Sequence, residues 1–249
     1  SGNSIESLES GARIEVNSQK QDPLDFALWK KTDDGIKWIS PWSEGRPGWH
    51  TECCVMINSI FAKQNGYIDI HGGGFDLKFP HHENEMAQAK AHNGNKLARY
   101  WVHNGFININ NEKMSKSLGN VVLMKDVVNK YGGLPFRLMI LAAHYRAPAS
   151  FSEETINEAS KKYSQLEIST RKAAISLQLA GESLDNLVPN KDSQVIDYLC
   201  DDLNTPNALA ALYNENKDLN NALRSRPLDV KLLKESLARV VSGEEVLGL

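Results

Sequence analysis

A chain of 249 residues with 41% hydrophobic content can bury one large core or two modest ones, and two domains are expected. Its 28 basic and 31 acidic residues leave a net charge of -3, which excludes a uniformly basic nucleic-acid binder and confines any contact with a polyanion to a local patch. Three cysteines, two of them adjacent at Cys53 and Cys54, make a poor disulfide framework and point to the cytoplasm, while the longest apolar run, Leu138 to Ala143, is far shorter than the ~20 residues that span a bilayer.

The chain opens SGNSIESLESGARIEV, with neither an initiator Met nor the apolar core of a signal peptide, and reads as the end of a connecting loop inside something longer. From Asp25 to Trp49, the residues Trp29, Trp38, Trp42 and Trp49 stand among Gly and Pro and suggest an aromatic wall built on turns. Helical spacing predicts a helix from about Thr51 to Gln64, and YIDIH, Tyr67 to His71, predicts a short buried strand. The strand is expected to end in a turn at Gly72, Gly73 and Gly74, where a backbone without Cβ atoms can approach a nucleotide and Asp76 can accept hydrogen bonds from ribose hydroxyls. Pro80 suits the first turn of a helix running through HHENEMAQAKAHN. On it His81 and Glu85 share a face, Gln88 continues that face, and His82 points away. A His and a Glu at this spacing are ordinarily a solvated pair. Cys53 in a separate element supplies a third donor, and three donors leave zinc an open position, as in catalytic sites. Cys54 competes for that role, but neighbouring helical positions lie ~100° apart, so one cysteine of the pair faces the site. Cys200 is expected in a helical core.

Further along, YWVHNGFININ, Tyr100 to Asn110, predicts a strand leading into NEKMSKSLGN. Lys113 and Lys116 in that loop can wrap a triphosphate and neutralise charge developing on pyrophosphate, with Ser115 and Ser117 as extra donors. Helices are predicted over Val121 to Tyr131 and Leu134 to Tyr145. Ser152 is a candidate N-cap for a helix from about Glu153 to Leu179. Two more follow, one from Thr205 with Pro206 in its first turn, one from Leu228 to Val246 with the stripe Val230, Leu233, Leu237, Val240 and Val241.

KMSKS is a signature of class I aminoacyl-tRNA synthetases, and together with GWHTEC, HGGGFDLKFPHHENE and YWVHNGFI it makes nearly the whole chain resemble cysteinyl-tRNA synthetase. The resemblance implies an α/β fold: the second half of a class I Rossmann-type catalytic domain over residues 1–117, a stem-contact connection over 118–152, and an all-α helical bundle for tRNA docking over 153–249. It implies one Zn2+ per chain held by Cys53, His81 and Glu85 and binding the thiolate of the substrate. It further implies ATP with Mg2+, Lys116 as the chief ATP contact with Lys113 assisting, and Trp49 and His50 lining the amino-acid pocket. The HIGH signature and a fourth cysteine ligand are then expected upstream of Ser1, and an anticodon-reading piece after Leu249. The implied reaction is activation of L-cysteine to cysteinyl-adenylate and transfer to tRNA(Cys) by a monomer, with Lys161, Lys162, Arg171 and Lys172 as a phosphate-facing set. A soft thiolate on zinc would separate cysteine from serine without an editing domain. Where this chain has Thr51-Glu52-Cys53-Cys54 the family commonly has Ile-Glu-Cys-Ser, a departure at Cys54 that bears on metal stoichiometry. Two rivals stand beside this reading: a ligase that joins the same adenylate to an amino sugar, and a truncated relative that binds zinc or RNA without turnover. No residue presents itself as a general base.

Overall fold

The computed structural model describes residues 20–22, 24–109, 112–113, 122–185, 187 and 193–249. The chain divides into two compact units between Asn104 and Gly105.

In the first unit, β1 (Trp29–Lys31) pairs antiparallel with β2 (Gly45–Pro47), which runs through Gly48 into α1 (Trp49–Ile60). Glu52 sits in the first turn of α1, where an anion complements the free backbone N–H groups. Next, β3 (Ile68–Gly74) and β4 (Ala98–Asn104) form a parallel pair, joined by α2 (Glu83–Asn93) in a βαβ unit. Helix α2 stops at Gly94, whose left-handed φ of 74° needs no Cβ, with Lys90 and His92 in the last turn against the helix dipole.

Two expectations fail here for local reasons. The three glycines do not form a turn after the strand: they are its last residues, with Gly72, Gly73 and Gly74 opposite Val102, His103 and Asn104. Nor does Pro80 open an α-helix. A residue before proline is pushed out of the helical region, and Phe79 is extended at φ -143°, ψ 136°. The chain is thus kinked at Phe79 within Lys78–His82, and α2 begins at Glu83.

The second unit starts where the predicted strand Tyr100 to Asn110 breaks. A Cβ on Gly105 would collide with the Ala147 carbonyl, and the Gly105 N–H donates to the Tyr145 carbonyl at 2.7 Å. After this break β5 (Ile107–Ile109) lies between β6 (Glu112–Lys113), antiparallel, and β7 (Ala149–Phe151), parallel. Helices α3 (Met124–Tyr131) and α4 (Gly133–Leu141) follow β6. The second ends four residues earlier than its apolar spacing suggests, in a turn closed by the Ala147 N–H on the His144 carbonyl. The long α5 (Glu153–Leu179) starts as expected at Ser152, whose Oγ accepts from the Thr155 N–H at 3.1 Å while Thr155 Oγ1 accepts from the Ser152 N–H at 2.9 Å.

Helices α6 (Gln194–Cys200), α7 (Thr205–Arg224) and α8 (Val230–Leu247) complete the unit, capped by Ser193, Asn204 and Asp229. Their apolar stripes meet α4 and α5 in one core in which Leu138, Ile156, Leu166, Leu177, Val195, Leu212, Leu219, Leu233 and Val240 are fully buried. Burying each such side chain contributes about 1.5–3 kcal/mol. Val241 departs from the predicted stripe and is exposed. Between α6 and α7, Asp202 and Leu203 both adopt left-handed φ, 52° and 54°, a strained pair. Arg146 holds the Asp202 carboxylate through two contacts of 2.8 and 3.2 Å, and the Tyr145 hydroxyl donates to it at 2.8 Å. Cys200, expected in the core, is exposed, because it is the last residue of α6 beside this loop.

Candidate metal centre

Helix α1 turns its two cysteines to different surroundings. Cys53 is half-buried with Sγ 3.6 Å from His81 Nε2, whereas Cys54 is buried and its thiol donates to the Glu85 backbone carbonyl at 3.4 Å. The helical rotation between neighbours thus leaves one thiol for the site and one for packing. Opposite them, His81 Nε2 lies 2.8 Å from Glu85 Oε1 across the one-turn spacing. A ligand atom from each of Cys53, His81 and Glu85 lies within 4.8 Å of the other two, the predicted triad.

Glu85 is fully buried, and among the described residues neither carboxylate oxygen has a hydrogen-bond partner of good geometry, although imidazole nitrogens stand within 3 Å of both. A buried carboxylate in this condition is costly unless a cation completes it. With a thiol and an imidazole beside it, the donor set is of the mixed S, N and O kind that suits zinc, so these residues fit that metal. Burial pushes the Cys53 thiol up to about 11, reinforced by the Glu85 charge, and pushes Cys54 up to about 12. Burial also opposes ionisation of Glu85, but His71 and His81 outweigh it and hold the carboxyl below its ordinary value. His81 and His50 are both lowered, chiefly by burial.

Trp49 and His50 flank this group. The Trp49 ring stacks on His81 at 4.2 Å between centroids, and His50 Nδ1 meets His81 Nδ1 at 2.7 Å, so one of these two nitrogens carries the shared proton. Trp49 stays more than half exposed, at 54%, and so remains open to a ligand.

His82 does not point away. It is buried in a second group with His71 and Glu85, in which ligand atoms again lie within 4.8 Å of one another. His71 Nε2 is 2.9 Å from Glu85 Oε2, and His82 Nδ1 is 2.8 Å from His103 Nε2. Burial drives the His82 imidazole down to about 4, so it is neutral at pH 7. Gly73 makes room for it, since a Cβ there would stand 2.8 Å from His82 Cε1 and 3.0 Å from Nε2. Gly74 serves Asp76 in the same way: a Cβ would lie 2.5 Å from Asp76 Oδ1. Sequence reasoning missed His71, His82 and His103 as one cluster. Their one legible signal was the His at the head of HGGG, the last residue of the predicted strand.

The nucleotide-loop residues are described only in part. Lys113 lies on β6, but its side chain and the whole of Lys116 are outside the described residues. On α5, Lys161, Lys162, Arg171 and Lys172 are exposed; Arg171 pairs with Glu167 at 2.9 Å and Lys162 lies 5.7 Å from the Tyr213 ring centroid.

Comparison with known proteins gives this arrangement a family. Residues 1–161 match the family model for the tRNA synthetases class I (C) catalytic domain, and residues 194–249 match the DALR domain. A cysteine-tRNA ligase of Shouchella clausii (strain KSM-K16) is 44% identical over 255 residues, covering 100% of this chain and 54% of its own length. Another, from Sulfurihydrogenibium sp. (strain YO3AOP1), is 47% identical over 223 residues, covering 87% of this chain and 45% of its own length. The chain therefore spans about half the length of the curated relatives it matches. Among solved structures, one from Campylobacter jejuni described as an arginyl-tRNA synthetase superposes with a TM-score of 0.57 at 16% identity, over 89% of this chain and 58% of that one, a likeness of fold. With its α/β portion followed by a helical DALR domain, the chain belongs to the class I tRNA synthetase (C) catalytic-domain family.

Proposed function

We propose that this chain is the zinc-holding and ATP-handling portion of a cytoplasmic, monomeric cysteine-tRNA ligase, which activates L-cysteine to cysteinyl-adenylate and transfers it to tRNA(Cys). The observation that carries the reading is the meeting of the Cys53 thiol, the His81 imidazole and the buried Glu85 carboxylate. These three residues would hold Zn2+, which supplies a soft Lewis acid that binds a thiolate far better than the hydroxyl of serine. Trp49 and His50 then line the place of the amino acid, the indole giving it an apolar wall. Gly73, Gly74 and Asp76 sit at the carboxyl end of β3, where open parallel sheets bind nucleotides, and take the ATP ribose. Lys113 and Lys116 neutralise the triphosphate, with Mg2+, as the cysteine carboxylate attacks the α-phosphate and pyrophosphate leaves. In this reading residues 1–117 do the chemistry, 118–152 connect, and 153–249 dock tRNA, with Lys161, Lys162, Arg171 and Lys172 on phosphates.

Cobalt in place of zinc makes the reading testable. L-Cysteine added to the Co2+-loaded chain should strengthen the sulfur-to-cobalt charge-transfer band, and L-serine should leave it unchanged. Equal responses to the two amino acids, or none to cysteine, would overturn it.

A further inference from the structure

The carboxylate of Glu85 faces two donor sets at once. Its Oε1 is 2.8 Å from His81 Nε2, on the side of Cys53, and its Oε2 is 2.9 Å from His71 Nε2, on the side of His82. Each set gathers three ligand atoms within 4.8 Å. A zinc-sized ion bonded at 2.0–2.3 Å brings its donors to about 3–4 Å of one another, so either set closes on an ion with side-chain adjustments of about an ångström. The second set also has its own support: the His82 ring is fixed by His103 at 2.8 Å, the kind of outer contact that orients a metal-binding imidazole, and Gly73 clears the space the ring fills.

We propose that the chain carries two overlapping metal seats that share Glu85, and that His71, His82 and Glu85 form the second, a two-imidazole, one-carboxylate seat for a divalent transition ion. Two dications this close, with one thiolate and one carboxylate to offset them, repel strongly, so the seats are used alternately. Donor chemistry divides them. The thiol-bearing seat is the softer and favours Zn2+ and its substitute Co2+, whereas the sulfur-free seat suits Ni2+. Losing Cys53 then moves the ion across Glu85 rather than releasing it. The rival account makes His71 and His82 only outer supports for Glu85.

Co2+ titration of the whole chain separates the two accounts. Cys53→Ser/His81→Asn should still bind about one Co2+, with d–d absorption but without the sulfur band, and adding His71→Asn/His82→Asn should abolish that binding. A folded Cys53→Ser/His81→Asn chain that binds no Co2+ would overturn the second seat, as would binding that survives all four substitutions. Should the double variant fail to fold by circular dichroism, the unsubstituted chain decides. Its Ni2+ X-ray absorption should show nitrogen and oxygen neighbours without sulfur, and a sulfur neighbour on every bound Ni2+ would overturn the proposal. None of these readouts depends on cysteine or ATP, so failure of the ligase reading would leave a different signature.

Discussion

Gly72 and Gly73 are neighbours on one strand, yet alanine is expected to act oppositely at the two. At Gly73 the new methyl would stand 2.8 Å from His82 Cε1 and 3.0 Å from both His82 Nε2 and Leu77 Cδ1. His82 is 3% exposed and cannot swing aside without giving up its 2.8 Å contact with His103. Overpacking of this kind costs about 1–3 kcal/mol, so Gly73→Ala should lower stability by about 2 kcal/mol. At Gly72 the nearest atom to the methyl is the Val102 carbonyl oxygen at 3.8 Å, an ordinary contact. Gly72→Ala should be neutral or stabilise by up to about 1 kcal/mol, because it narrows the unfolded ensemble. All five tryptophans, Trp29, Trp38, Trp42, Trp49 and Trp101, lie in the first unit, so urea unfolding followed by tryptophan fluorescence reads that unit selectively. The midpoint should fall for Gly73→Ala at unchanged slope and hold or rise for Gly72→Ala. Equal midpoints for the two variants would refute the argument that Gly73 exists to admit His82.

Burial lifts the Glu244 carboxyl to about 7, so the folded chain keeps a proton that the unfolded chain sheds between about pH 4.5 and 7. Stability of the helical unit should therefore decline as pH rises through that window, by about 2 kcal/mol after allowance for partial exposure. Glu244→Gln should abolish the decline, melting above the parent at pH 8 and with it at pH 4; parallel melting curves at both pH values would remove this role. Ser193 is the N-cap of α6 and donates to Glu215 Oε1 at 2.8 Å, while Glu215 Oε2 is buried with no hydrogen-bond partner among the described residues. Ser193→Ala should cost about 2–3 kcal/mol by circular dichroism, from the lost cap and the stranded carboxylate; a loss under about 0.5 kcal/mol would contradict this. On the proposed function, Lys116→Ala should slow adenylate formation in cysteine-dependent ATP–pyrophosphate exchange with little change in cysteine affinity, and a pure loss of cysteine binding would reassign the residue.

What could be read from the chain was local. Ser152 and Thr155 announce the start of α5 by side-chain chemistry alone, and the one-turn spacing of His81 and Glu85, with Cys53 on a helix opposite, suffices to bring that triad together. What escaped was set by partners distant in sequence or by one constrained residue. His71 and His103 reach the site through the pairing of β3 with β4, which places Gly73 opposite His103, and no spacing within either strand announces that register. His82 was misjudged because the side away from His81 was taken for solvent, whereas there the ring meets His71 of β3 and His103 of β4. The break at Gly105 came from Ala147, forty-two residues away, and so was equally invisible.

The differing surroundings of the three cysteines have a practical use. Maleimide reagents attack thiolate, and a thiol held at about 11 or 12 is ionised in no more than about one molecule in ten thousand at pH 7, which slows both Cys53 and Cys54. Cys200 lies exposed at the end of α6 in the other unit. Brief treatment at neutral pH should therefore attach a single fluorophore to the helical unit of the unaltered chain. That would provide an optical reporter of the RNA docking proposed there, with the thiol of the proposed metal seat left free.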